Sequence, residues 1–360
     1  KKIGSTSQNE REAHLILQLL KDCCQVTAPG VLFIAEAIVA PKELTKYFGE
    51  DAVIAKECEI AYNATLMALL WEAVATKETT LLKRGLRSLP GKLDRATWLN
   101  YVRCHDDIGL GIDDEDIIRV GFEPAAHRRF LVDYFTGKYD TSPARGQTFA
   151  ENSKTGDARI AGSLASLVGL EAAVESGDED SIEAAIDLIL LLHSVILSFG
   201  GIPLLYYGDE IGMLNDYSYR EDEVKKDDSR WLHRPTIDWE KAERANRPGS
   251  VEYRIFNGLK KLIAVRKEVA AFADFNNREL LEVNNEHLLA FTHFDNQLPS
   301  SKVVVVVNFD DQPHRLKLEI LRRAGISQPG RVRDLCTGNY VPVSDDHLVI
   351  PRFGFFWLQE

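Results

Sequence analysis

The sequence predicts an α/β protein with a parallel sheet of barrel type, followed by a small all-β domain. Three observations carry this. Short apolar runs alternate with helix-like stretches up to about residue 275, the pattern of a parallel sheet covered by helices. Three of those runs stop at carboxylates: segment 31–38 holds Glu36, segment 98–109 holds His105, Asp106 and Asp107, and segment 202–212 holds Asp209 and Glu210. The carboxyl ends of strands are where an α/β barrel keeps its chemistry. Beyond residue 275 the pattern changes to strands, among them five consecutive valines at 303–307, which suit a strand buried on both faces.

Taken in order, residues 10–24 place Leu15, Ile16, Leu19 and Leu20 at helical spacing, and Pro29-Gly30 breaks that helix. A strand over 31–35 follows. Residues 58–61 are a short strand candidate, and 62–78 read as a helix. Pro90-Gly91 is a further break before a strand at 98–104. Residues 109–180 differ: acidic at 113–116, with Arg128 and Arg129 adjacent, and dense in Gly, Ser and Thr over 141–162. They predict a long insertion with little strand pattern, and insertions of this kind usually carry function. Asp180-Ser181-Ile182-Glu183 has the capping-box form and predicts the start of a long apolar helix. Its stretch 184–199 carries Asp187 and His193 and is shorter than a membrane span of about 20 residues, so it predicts a buried helix. Gly200-Gly201 ends it, and a strand over 202–207 follows. A polar stretch over 213–250 precedes a helix over about 250–270. Strands are then expected at 288–294, 302–308, 315–320 and 347–350, with Gly354 marking a bulge in a last short strand.

The length, 360 residues, is enough for two or three domains with a large core. With 55 acidic against 43 basic residues, the net charge of -12 argues against nucleic acid or an anionic membrane as partner. It fits a cytoplasmic protein acting on a neutral small substrate. The five cysteines (Cys23, Cys24, Cys58, Cys104, Cys336) are odd in number and have no metal-ligand spacing, so they read as reduced and mostly buried. Cys104 adjoins His105, but strand neighbours point to opposite faces, which makes that pair poorly placed to react. Residues 1–10 have no signal-peptide form. The sequence calls for no cofactor and no dedicated metal site; the acidic run 113–116 reads as a solvated surface rather than a Ca²⁺ loop.

Breaking a glycosidic bond needs a proton donor and a nucleophile or base on opposite sides of the anomeric carbon. A glutamate embedded in Phe33-Ile34-Ala35-Glu36-Ala37-Ile38 suits the donor, because apolar surroundings raise a carboxyl pKa. A strand-end glutamate paired with an arginine reads the same way. His105-Asp106-Asp107 suits a cation, sugar hydroxyls or a helix cap. Asp209-Glu210 is another candidate pair, but acids also favour the amino end of a helix, and that structural role is preferred for it.

The ordered set FIAEAIVAP, YVRCHDDIG, SPARG, TGDARIAGSLASLVGL, GGIPLLYYGDEIG and DDSRWLHRP resembles the amylosucrase and sucrose hydrolase branch of the α-amylase superfamily, over essentially the whole chain. The resemblance implies the second half of a TIM barrel, strands five to eight, with a late insertion and a terminal β domain. Strands five to seven then lie in 1–108, the insertion after strand seven in 109–180, strand eight and the closing helices in 181–275, and the β domain in 276–360. It implies Glu36 as general acid/base, Asp106 as the transition-state-stabilising aspartate and His105 as the histidine bonded to the glucosyl ring. Asp107 and Arg230 stand where the family holds sucrose, and Arg128 and Arg159 where it lines acceptor sites. An oxocarbenium-like state is stabilised by a nearby anion, and guanidinium groups pair well with vicinal hydroxyls.

The family's nucleophile is the aspartate of an R-x-D motif ending the fourth barrel strand. Here R-x-D occurs as Arg220-Glu221-Asp222, in a polar stretch with no strand before it. The expectation is that the missing barrel half, with its nucleophile, lies upstream of Lys1 or on a partner fragment. The expected reaction is retaining transfer of glucose from sucrose to an α-glucan. Sucrose hydrolysis by the same machinery and a non-catalytic glucan-binding remnant are the alternatives.

Overall fold

The structure is a computed structural model that describes residues 3–5, 8–49, 56–89, 95–153, 156–274, 277–294 and 302–360. Four strands, β1 (Ile34–Ala35), β2 (Ile60–Tyr62), β3 (Thr97–Tyr101) and, after the insertion, a strand at Ile202–Leu204, form one parallel sheet in sequence order. Successive parallel strands that neighbour one another are the arrangement of a (β/α) barrel segment. The last of them stops at Leu204, short of the expected 207.

Between β2 and β3 lies the helix Ala64–Thr76, buried continuously from Leu66 to Ala75, which explains its apolar composition on every face. Its Asn63 cap accepts from Leu66 N at 3.1 Å, and the same side chain donates to Asn100 of β3 at 2.9 Å. Trp71 Nε1 donates to Val102 O at 2.8 Å, so helix and strand are fixed by polar as well as apolar contact.

The insertion is not strand-poor, as expected from its composition. It contains an antiparallel hairpin, β4 (Gln147–Phe149) with β5 (Arg159–Ala161), and helices at Asp114–Arg119 and Pro124–Phe135. Leu131, Phe135, Ile160 and Leu164 share the core of the barrel helices, so this segment packs as part of the barrel wall. With the hairpin numbered, strand Ile202–Leu204 is β6.

The long helix runs Glu179–Ser198 and is largely buried. Its cap is Asp178, two residues before the predicted one, with Ser181 bonded to the Asp178 carboxylate. Asp180 instead accepts from Arg352 at 2.7 and 2.6 Å, tying the helix to the terminal domain. Gly200 and Gly201 follow at φ 91° and 82°, a left-handed exit that glycine tolerates. The closing helix is Val251–Glu268.

The terminal domain is a five-stranded antiparallel sheet ordered β11-β14-β9-β8-β7 with a three-stranded sheet ordered β10-β13-β12. The strands are β7 (Arg278–Leu280), β8 (Leu288–Phe294), β9 (Lys302–Asn308), β10 (His314–Lys317), β11 (Arg333–Asp334), β12 (Val343–Ser344), β13 (His347–Ile350) and β14 (Phe355–Gln359). Val303, Val305 and Val307 of β9 face the helices with Phe291 and Trp357, while Val304 and Val306 face the small sheet with Leu348 and Ile350. That two-sided burial is the reason for the valine run. The expected strand 315–320 ends at Lys317, and a helix Leu318–Arg323 takes over, because Leu318 and Leu321 are buried at helical spacing. Gly354 precedes β14 rather than bulging it.

One helix turns its apolar residues outward. The helix Arg11–Thr27 forms, but Leu15, Ile16, Leu19 and Leu20 are exposed by 50–63%. Its inward side is polar: Lys21 pairs with Glu59, His14 Nδ1 lies 2.6 Å from Glu57, and Gln18 donates to Glu57 at 2.8 Å. On the neighbouring edge of the sheet, Val31, Leu32, Ile34 and Ile38 are also exposed.

Candidate active site

The residues following β1 and β3 converge. His105 Nε2 lies 3.4 Å from Glu36 Oε1, and ligand atoms of Glu36, His105 and Asp106 lie within 4.8 Å of one another. Glu36 does not sit in an apolar pocket, as expected: its side chain is 47% exposed. β1 is a two-residue edge strand, so alternation sends Ala35 into the core and leaves Glu36 facing the open side of the sheet.

Asp106 is held from several sides. Arg230 Nη1 donates to Asp106 Oδ1 at 2.7 Å, the backbone N–H of Asp107 donates to the same oxygen at 3.0 Å, and Arg234 Nη2 approaches it at 3.8 Å. Burial works to raise this carboxyl, but the bonds from Arg230 and Asp107 outweigh it and hold it at about 2. Asp107, with its side chain turned inward and one oxygen without a partner, behaves oppositely. Burial and the neighbouring Asp106 push it up to about 6, against the pull of Arg159 Nη1 at 3.4 Å.

Arg230 is itself clamped by Asp228, with Nε to Oδ1 at 2.9 Å and Nη2 to Oδ2 at 2.8 Å, and it lies over the Phe149 ring at 4.4 Å. The hairpin thus supports the arginine from below. Arg159 reaches the cluster through Asp107. Arg128 stands apart, since the contacts described for it go to Ile112 O at 2.7 Å and to Asp114.

The sequence reading gave no role to the residues that hold this cluster in place. Arg103, two positions before His105, is buried and bonds Asp209 at 2.7 and 2.8 Å, with its guanidinium over Tyr206 at 4.7 Å. Asp209 is therefore structural, as preferred from sequence. His233 is buried and neutral: burial and the nearby Arg103 push it down to about 3. It accepts from Gly162 N at 3.1 Å, which leaves Nε2 to carry the proton toward His105 O at 3.4 Å. Arg234 Nε also donates to that carbonyl. His233 and Arg234 belong to the DDSRWLHRP string, and Arg103 to YVRCHDD, so the signal was the motif itself. Cys104 is buried, its thiol pushed up to about 11 by that burial, which agrees with a structural part. The cysteines are all free, with Cys23 exposed and Cys58, Cys104 and Cys336 buried. Arg220-Glu221-Asp222 lies in and just after a 3-10 turn with no strand leading into it.

Glu36, His105 and Asp106 are close enough to hold a cation, but Arg230 already occupies the Asp106 oxygen. A second trio, His287, Asp310 and His314, lies in the terminal domain. There His314 Nε2 points to Asp310 at 2.7 Å, His287 Nδ1 donates to Lys77 O at 2.8 Å, and the imidazoles stack at 4.5 Å. With His287 bonded to Lys77 O and His314 to Asp310, the trio links the terminal domain to the end of the helix Ala64–Thr76.

The chain is similar in sequence and in fold to enzymes of the α-amylase superfamily. Trehalose synthase/amylase TreS of Mycolicibacterium smegmatis is 24% identical over 99% of this chain and 58% of its own length. Glucosylglycerate phosphorylase of Escherichia coli is 25% identical over 79% of this chain and 47% of its own. Among solved structures, sucrose 6F-phosphate phosphorylase from Thermoanaerobacter thermosaccharolyticum superposes with a TM-score of 0.57 at 18% identity, covering 86% of this chain and 54% of that one. Cyclic alpha-maltosyl-(1-->6)-maltose hydrolase from Arthrobacter globiformis does so at 0.53 and 14%, covering 96% and 53%. No family model matches the chain. The chain spans about half the length of the curated relatives it matches.

Proposed function

We propose that this chain carries the acid/base half of a retaining glucosyl-transfer site whose donor is sucrose and whose acceptor is an α-glucan. The observation that carries the proposal is the convergence of Glu36, His105 and Asp106 at adjoining strand ends, with Asp106 held ionised by Arg230. Glu36 protonates the glycosidic oxygen as fructose leaves and later takes the proton from the acceptor hydroxyl. Asp106 supplies a fixed negative charge to the oxocarbenium-like state, and its depressed pKa keeps that charge present throughout. His105 and Asp107 hold sugar hydroxyls, and Arg159 lines the acceptor side, with Arg128, tied to Asp114, standing further from the cluster.

The nucleophile comes from polypeptide outside this chain. Support for this is the exposed apolar stripe of the helix Arg11–Thr27 beside the open edge of β1, a surface of the kind that another part of a barrel covers. Free cysteines favour a reducing compartment such as the cytoplasm. The relatives' names support a disaccharide or glucoside donor. Sucrose hydrolysis is the second reading, favoured by the openness of the cluster, since Glu36 and His105 are about half exposed.

The test is to incubate the complete protein with sucrose, with and without phosphate, and separate polymer, free glucose and sugar phosphate. Polymer supports transfer, glucose alone supports hydrolysis, and no consumption of sucrose overturns the donor. Glu36→Gln should keep sucrose binding and lose about 10²–10⁴-fold in turnover.

A further inference from the structure

The 3-10 turn Ser229–His233 meets the site at three places. Ser229 Oγ donates to Thr148 O of the hairpin at 3.0 Å, and Arg230 donates to Asp106 at 2.7 Å. His233 stands between the residues that follow β3 and β5. Arg230 has an evident task, to hold the Asp106 charge. Nothing in the proposed reaction uses His233. At 2% exposure it is too deeply buried to touch a substrate, so any part it plays in turnover is indirect.

Its two ring nitrogens are assigned by their neighbours. Gly162 N–H donates to Nδ1 at 3.1 Å, so Nδ1 is the acceptor and the ring proton sits on Nε2, 3.4 Å from His105 O. Arg234 Nε donates to the same carbonyl, and Arg103 Nη1 donates to His233 O at 3.4 Å. Burial, with two guanidinium groups beside the ring, opposes its protonation. The His105 carbonyl thus receives a donor that brings no charge. That carbonyl belongs to the planar peptide unit joining His105 to Asp106, and the plane sets the directions in which both side chains leave the backbone. A cation at position 233 would compete with Arg230 for Asp106. A side chain with no donor would leave the peptide to Arg234 alone.

We propose that His233 is a positioning residue for glucosyl transfer: its Nε2–H holds the His105–Asp106 peptide at the angle that brings the His105 imidazole and the Asp106 carboxylate together at the donor sugar. The proposal rests on the reading of the acid cluster as a glucosyl-transfer site. An imidazole that served the fold alone would be replaceable by any side chain that keeps the turn in place. The two bonds of His233 can be separated by substitution. A glutamine carries an amide N–H to the place of Nε2 and gives up the acceptor for Gly162 N. An asparagine puts its amide oxygen in the place of Nδ1 and gives up the donor to His105 O.

The experiment compares His233→Gln with His233→Asn in the complete protein, with sucrose and with α-D-glucopyranosyl fluoride as donors. The fluoride needs no fructose site and reports glucosyl transfer whatever the natural leaving group. Each variant gives up one bond, so their thermal melts should fall alike. His233→Asn should lose about 10–100-fold in kcat with KM changed by less than about threefold, because a misplacement near 1 Å costs about 10²-fold, whereas His233→Gln should stay within about fivefold of wild type. Equal loss of kcat in the two variants, or wild-type kcat in His233→Asn, would overturn the role. If His233→Gln does not fold, His233→Asn combined with Arg234→Gln decides: both donors act on one carbonyl, so the joint loss of kcat should depart from the product of the single losses, and a simple product would overturn the role. Wild type that consumes the fluoride but not sucrose would refute the proposed donor, while the variants still decide the positioning role on the fluoride. Consumption of neither overturns both.

Discussion

Replacing Arg103 by Leu tests whether the ion pair beneath the site organises it. Arg103 and Asp209 are each about 2% exposed at the side chain, and Asp209 has no other side-chain partner among the described residues. Removing one member of a buried pair leaves the other charge uncompensated, which costs about 3–5 kcal/mol. For a chain of this length the entropy of unfolding is about 0.75 kcal/mol/K, so the melting temperature should fall by roughly 4–7 °C. A pH signature separates this cause from simple packing loss. Burial raises Asp209 to about 6 even with Arg103 pulling it down. A carboxyl whose folded pKa is raised binds its proton more tightly when folded, so stability falls as pH rises from the unfolded value to the folded one. In wild type that window closes near pH 6. In Arg103→Leu the pull is gone, the folded pKa climbs, and stability should go on falling between pH 6 and 8 by up to about 1.4 kcal/mol per pH unit. Thermal melts across that range give the answer. Arg103→Leu with Asp209→Asn should lose the slope and recover part of the stability. A single variant with wild-type melting at pH 8, or a double variant with the same slope as the single, would refute the reasoning.

The other expectations are these. Asp107, raised to about 6 by burial and Asp106, is protonated as pH falls through 6 and loses its attraction for Arg159, so KM for sucrose should rise on the acid side; Asp107→Asn should flatten that dependence, and a KM constant from pH 5 to 8 in wild type would contradict the role. Arg159→Ala should divert product from polymer to free glucose more than Arg128→Ala, whose guanidinium is tied to Asp114, and equal product ratios in chromatography would refute the distinction. Ile16→Glu with Leu20→Glu should cost about 1.5–3 kcal/mol per side chain in the complete protein if the stripe is covered there; a cost within about 0.5 kcal/mol, as for a solvent-facing surface, would remove the argument for a covering half.

The strand ends were legible because they combine two local signals, an apolar run and a carboxylate after it. β8, β9 and β13 form at the positions expected, and β3 starts within a residue of its expected start but ends at Tyr101, three residues short of 104. The hairpin β4-β5 was not legible: three-residue strands among Gly, Ser and Thr have no period to detect, and pairing across the turn, not propensity, makes them. The segment 315–320 failed for a related reason. Arg315 and Lys317 alternate with Leu316 and Leu318 like a strand, and only the burial of Leu321 reveals the helical spacing. At the site, Glu36, His105 and Asp106 were found as types and as motif members. Their supports were not, because Arg103, His233 and Arg234 act through residues 106 to 130 positions away.

The chemistry is divided by environment rather than by residue type. Asp106 and Asp107 are adjacent carboxylates with opposite neighbours: one is clamped by an arginine that is itself oriented by Asp228 and Phe149, the other is turned inward beside the first. The pairing pushes their pKa values apart, so at neutral pH one charge is permanent and the other is conditional. Glu36, on the short edge strand, shares neither clamp. In the proposed reaction this half-exposed side chain is the one that reaches the substrate oxygen, while the fixed charge stays on β3's side of the site. The same edge that leaves Glu36 open leaves the apolar stripe beside it open. If the proposed reaction holds, the surface that covers the stripe adjoins the position from which the proposed nucleophile faces the anomeric carbon.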